Sequence, residues 1–244
     1  MNRFKNLKAL FITFALIGLS SVTFAQFTAG GRLGVNLANL RGSSIENNKM
    51  IAGYNVGGFI NYSFEDLISG EIGNILSVQV ELSVQTKGTS SEYPFIKPDS
   101  TIEVKKDIKK NFTYVQVPVL ARFTFGEPGE LNYFGEAGFY GASLFGMTID
   151  GERSHDHDVD DATDPRKYRE EYSGFDFGLC IGGGVSYPFG GNDSPWAVFG
   201  NIRYSLGLKN IGESKDKTPE FLTTYLKDIK TNTISILFGV SYSF

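Results

Sequence analysis

From residue 27 to the end of the chain, apolar positions alternate with small or polar ones at a period of two, and helical periodicity is nearly absent. Eight segments carry the pattern: 27–40, 51–64, 72–87, 111–125, 131–149, 173–189, 196–208 and 231–244. Most are longer than the roughly five or six residues of an ordinary strand. They match the roughly nine to eleven that a tilted strand needs to cross a bilayer. In the third segment Ile72, Leu76, Val78, Val80, Leu82 and Val84 face away from Ser77, Gln79, Glu81, Ser83, Gln85 and Lys87. In the fourth, Val115, Val117, Val119, Ala121 and Phe123 oppose Tyr114, Gln116, Pro118, Arg122 and Thr124. The connections alternate too. Stretches 65–71, 126–130 and 190–195 are short and turn-like, whereas 41–50, 88–110, 150–172 and 209–230 are long and polar. Short turns at one end and long loops at the other predict an all-β fold, an eight-stranded antiparallel up-and-down transmembrane β-barrel. An even strand number brings both ends of the barrel to the short-turn side.

Alternation alone does not say which face is outside, because a soluble barrel would turn its apolar face inward. Three features favour apolar-out. The polar faces are rich in Gly, Ala and Ser with only a few charges, which suits a cramped interior better than a water-facing sheet. The aromatic residues sort by height. Phe27, Tyr62, Phe64, Phe123, Phe125, Tyr133, Tyr187, Phe189, Trp196, Tyr242 and Phe244 all fall at the short-turn ends, on the apolar face of their segments. That is the pattern of an aromatic girdle at a membrane interface, here the periplasmic one. Finally, an open sheet edge in hydrocarbon leaves backbone groups unpaired at several kcal/mol each, so strands of this kind must close. An alternating last strand that ends on Phe244 also resembles the signal read by the barrel assembly machinery, which becomes an expected partner.

Composition then narrows the compartment. Arg3, Lys5 and Lys8 precede an apolar run from Ala9 to Leu19, and Thr23 and Ala25 are small residues placed for cleavage before Gln26. Residues 1–25 read as a secretory signal peptide, leaving 26–244 as one outer membrane β-barrel domain. The chain has a single cysteine, Cys180, so no disulfide forms within it. A formal net charge of −4 argues against nucleic acid as a partner. The expected location is the bacterial outer membrane, with its lipid and lipopolysaccharide as surroundings. The lysines of 104–110 could meet lipopolysaccharide phosphates by Coulomb attraction, or simply solubilise a hairpin tip.

Candidate chemistry is sparse. The inward face holds Arg32, Glu81, Lys87, Arg122, Glu136, Asp176 and Arg203, both signs in similar number. An eight-stranded barrel has room inside only for side chains, and buried charges must pair. The expectation is a salt-bridged plug, with a small ion or solute path as the alternative. The stretch 150–164 carries both histidines, His155 and His157, among many aspartates, but its spacing fits no calcium loop or zinc helix. It reads as a solvated acidic loop. Ser154 beside those histidines is the one hydrolase-like set available, and nothing supports it. No catalytic residue, metal ligand or cofactor is expected.

Several stretches resemble the PorT-like outer-membrane β-barrel proteins of Bacteroidetes-type bacteria. GGRLGVNLANL (Gly30 to Leu40) is similar to their first strand. TYVQVPVLARF (Thr113 to Phe123) resembles their YLEIPLLLKY strand, with Gln116 where an acid is common. FDFGLCIGGGVSY (Phe175 to Tyr187) and RYSLGLKNI (Arg203 to Ile211) resemble their late strands. The resemblance implies a barrel scaffold without shared catalytic residues. The expected function is therefore non-enzymatic: a small integral barrel, porin-like in fold, that presents long loops outward for envelope integrity or binding. A component or assembly factor of a secretion complex, implied by the resemblance alone, and a loop-based adhesin or ligand binder are the alternatives. A lipid-modifying barrel enzyme ranks third.

Overall fold

The computed structural model describes residues 26–42, 45, 48–65, 67–68, 70–96, 102–127, 129–160, 165–190, 194–213 and 226–244. The leader read at 1–25 lies outside them. Eight long strands form the wall: β1 (Phe27–Arg41), β2 (Ile51–Ser63), β3 (Leu76–Ile96), β4 (Ile102–Phe125), β5 (Asn132–Ile149), β6 (Phe175–Pro188), β7 (Trp196–Gly207) and β8 (Lys230–Ser243). Each pairs antiparallel with its neighbours in sequence. β1 also pairs with β8, in register from Thr28↔Ser243 to Arg41↔Lys230, and this closes the sheet. The Phe244 N–H donates to the Phe27 carbonyl at 2.9 Å, so the ladder runs to the last residue. A closed ladder leaves no unpaired row of backbone groups along the wall.

Burial follows the alternation. Leu33, Val80, Leu82, Val117, Ile181, Ile202 and Phe238 point outward and are exposed, while Arg32, Glu81, Gln116, Cys180, Arg203 and Leu237 point inward and are buried. Exposed large apolar side chains on every strand, with polar ones buried inside, reverse the arrangement of a water-soluble barrel. The buried interior has three levels. Phe59, Phe134 and Phe199 cluster at the short-turn end. Polar and charged side chains fill the middle. A larger apolar cluster, including Leu40, Phe112, Tyr140, Met147, Tyr168, Tyr172, Ile211, Leu226 and Ile229, occupies the long-loop end.

The structure departs from the sequence reading in three places. The stretch 88–110 is not a polar connection. β3 continues into it as far as Ile96 and β4 begins in it at Ile102, still paired at Phe95↔Glu103 and Ile96↔Ile102, with an irregularity between Ser91 and Tyr93. Apolar alternation marks a strand only where one face is apolar, and this hairpin rises past that zone. The third segment begins at Leu76 and not at Ile72, because Glu71–Ile75 forms a one-turn helix, α1, at the short-turn end. In β5 the register passes from Tyr114↔Leu144 to Thr113↔Gly146, leaving Phe145 unpaired and 82% exposed. This bulge moves the inward positions from Ala142 and Leu144 to Met147 and Ile149.

Candidate functional site

The middle of the lumen is built from inward positions of strands on opposite walls. Glu81 of β3 and Arg203 of β7 lie four strands apart around a ring of eight, so they face each other across the diameter. Arg203 spans it. Its Nη1 donates to Glu81 Oε2 at 2.6 Å and its Nη2 to Oε1 at 2.8 Å, while Nε donates to Glu136 Oε1 at 2.6 Å. Arg32 Nη2 of β1 lies 2.6 Å from Glu81 Oε2. Gln79 Nε2 donates to Glu81 Oε1 at 2.6 Å, and Asn201 Nδ2 to Glu136 Oε1 at 2.8 Å. Planar guanidinium forks match carboxylates in two-point contact, which fixes distance and orientation together.

One turn of side chains higher, Lys87 Nζ lies 3.2 Å from Asp176 Oδ2 and 4.1 Å from the centre of the Tyr140 ring. Asp176 Oδ2 also accepts from Tyr140 Oη at 3.1 Å and from Thr231 Oγ1 at 2.8 Å. Beside this pair, Asn36 and Asn55 each donate through Nδ2 to Gln85 Oε1 at 2.9 Å, and Ser235 Oγ donates to Asn36 Oδ1 at 2.7 Å. Removing a charge from water costs several kcal/mol unless partners replace the lost hydration. These partners come from six strands, so the network also holds the walls in register.

Six of the seven charges read from the sequence therefore meet a charge of opposite sign. Arg122 does not. Its Nη1 donates to the neutral Gln79 Oε1 at 3.2 Å, and its guanidinium sits 3.6 Å from the Phe134 ring centre. The amide and hydroxyl partners escaped the sequence reading because a polar inward residue carries no sign of whom it will face.

Loop residues pack over the long-loop end. Tyr168, Tyr172, Ile211 and Leu226 are buried against the barrel top, and Tyr172 packs edge-on against Phe112 at 4.8 Å. Arg169 Nη1 donates to the Tyr172 carbonyl at 2.9 Å. These apolar residues stand out within otherwise polar loops, which was the available signal. Lower on the outer wall, the eleven aromatics read as a girdle sit at the short-turn ends. Phe27 packs on Tyr62 at 5.1 Å, Tyr62 on Phe64 at 5.7 Å, Trp196 on Tyr242 at 4.9 Å and Tyr242 on Phe244 at 5.1 Å. Phe125 stands opposite Tyr133, and Tyr187 opposite Val198.

His155 lies on the surface at the other end, its Nε2 3.0 Å from Asp156 Oδ1. Residues 161–164 of that acidic stretch lie outside the described residues. Among the described residues no three His, Cys, Asp or Glu side chains gather as a metal site.

With the barrel closed and its faces assigned, the sequence comparison decides the family. Residues 24–213 match the model described as outer membrane protein beta-barrel domain. The chain belongs to this family. Its place is the bacterial outer membrane, so the exposed apolar wall faces lipid and the short-turn end the periplasm. No curated protein matches it in sequence. Among solved structures it is similar to Neisserial surface protein A, at 12% identity over 89% of this chain and 97% of that one, with a TM-score of 0.44. OprG from Pseudomonas aeruginosa shares 9% identity over 89% and 94%, with a TM-score of 0.45. Ail, the attachment invasion locus protein of Yersinia pestis, shares 14% over 89% and 99%, with a TM-score of 0.37.

Proposed function

We propose that this outer membrane barrel is a non-enzymatic, non-conducting scaffold whose charge-paired lumen is a plug and whose outer loops serve envelope integrity or binding. The observation that carries the reading is the Arg203 guanidinium joined at once to Glu81 and Glu136 on other walls. A path along the axis would have to break charge-assisted bonds worth about 1.5–3 kcal/mol each. The largely apolar cluster above, packed with Leu40, Phe112, Met147, Ile149 and Ile211, adds a second barrier to water and ions. Reconstitution in planar bilayers tests this. We expect no steady conductance from the folded protein; regular single-channel steps would overturn the plug.

The binding half of the reading draws on the β3–β4 hairpin, which rises beyond the other strands and carries the exposed Lys109, whereas Lys110 is buried and donates to Tyr172 Oη at 3.3 Å. Lipopolysaccharide phosphates at the outer leaflet suit such an exposed lysine electrostatically. The resemblance to PorT-like barrels supports a second reading, attachment to a secretion complex. Cross-linking in intact envelopes separates them: a stable protein partner favours the complex, and adhesion to cells or matrix favours loop-based binding.

A further inference from the structure

The lumen has a charge surplus at its periplasmic end. In the lower network three guanidiniums, Arg32, Arg122 and Arg203, face two carboxylates, Glu81 and Glu136, and Arg122 forms no ion pair with a carboxylate among the described residues. Its register neighbour Glu136 turns Oε1 to Arg203 and Asn201, and Arg122 does not reach the remaining Oε2. Arg122 instead lines a cavity of about 270 Å³ at the periplasmic mouth. The rest of that lining is rich in hydroxyls and amides, among them Thr28, Asn61, Ser77, Thr124 and Ser241. A cation held in a half-enclosed site, with no carboxylate in salt-bridge contact and ringed by neutral donors, is built to meet an anion from solution. The volume is just below the roughly 300–1,000 Å³ of drug-sized sites, which sets the ligand at monosaccharide size.

We propose that this vestibule binds a small hydroxylated oxyanion from the periplasm, of the sugar-acid or sugar-phosphate class, with Arg122 as the charge anchor and the surrounding hydroxyls as partners for its hydroxyl groups. The Phe134 ring centre lies 3.6 Å from the guanidinium, a cation–π contact that limits the freedom of the side chain. The site does not depend on whether the lumen above conducts, so a leaky barrel would defeat the plug and leave this assignment standing.

The chain carries its own reporter, because its single tryptophan, Trp196, lines the same cavity. The full protein, folded in a phosphate-free detergent, is titrated with gluconate and with glucose 6-phosphate at constant ionic strength. Trp196 emission and calorimetric heat are followed together. We expect saturable binding of at least one anion with a midpoint on the order of 1 mM or tighter, and none of neutral glucose over the same range. Arg122→Gln should weaken binding at least roughly tenfold, the cost of one lost charge-assisted hydrogen bond. Neither signal saturating with either anion in the unmodified protein would overturn the proposal, as would glucose binding equally well or Arg122→Gln binding unchanged. Should that variant fail to fold, the titration of the unmodified protein decides.

Discussion

At the residue scale, one side chain organises the lumen. Arg203 reaches two carboxylates on different strands, and each of those has a further partner, Arg32 and Gln79 on Glu81 and Asn201 on Glu136. Deleting one member of a buried ion network strands the others, which typically costs roughly 3–5 kcal/mol. Arg203→Met should therefore lower the unfolding free energy of the barrel by an amount in that range, read from the shift of its urea midpoint as the compact band is lost on unheated gels. Adding Glu136→Gln removes one stranded charge and should recover part of the loss. The double-variant cycle gives the coupling directly. A single variant as stable as the unmodified protein would show that the bonds do not hold the walls together.

At the element scale, the strands are limited by how closely their inward faces crowd. Gly34 of β1 and Gly138 of β5 both point into the lumen. A Cβ at Gly34 would stand 2.0 Å from the Ile236 carbonyl oxygen, and one at Gly138 2.0 Å from that of Val119. Glycine in a strand weakens it, so its use here marks a wall too tightly curved for a side chain. Gly138→Val should sharply reduce the folded fraction recovered from urea. Gly135→Ala, where an added Cβ meets nothing within 4 Å, should leave it unchanged. Equal refolding of the two variants would remove curvature as the explanation.

At the scale of the whole molecule, stability rests on closure and not on an apolar centre alone. The wall is one continuous antiparallel ladder, joined end to end where β1 meets β8. Such a cylinder resists detergent until heated, because no edge is available from which to peel. The protein should fractionate with the outer membrane and run as a heat-modifiable band. A freely soluble periplasmic protein with a single gel mobility would contradict the lipid-facing wall. Truncating Tyr168 and Tyr172 to Ala should loosen the outer apolar seal without opening a conductance, since the charge network beneath remains intact.

The wall was legible in the linear chain because lipid imposes a one-dimensional rule: every second residue of a membrane strand must be apolar. Val78, Val80 and Leu82 on one face, with Gln79 and Glu81 on the other, state that rule within a few residues. The same rule supplied the strand number, the inward list of charges and the aromatic residues near the short turns. It is silent wherever lipid is absent. Above the bilayer β3 and β4 continue as strands without apolar alternation, so only their backbone pairing revealed them. It is silent inside as well, where facing is set by barrel diameter and strand stagger. That Arg203 would reach Glu81 across the ring, that Lys87 would meet Asp176, and that Arg122 would be left facing the cavity depend on distances between residues far apart in sequence. Alternation along the chain determined which side chains enter the lumen, and only closure of the cylinder decided which of them touch.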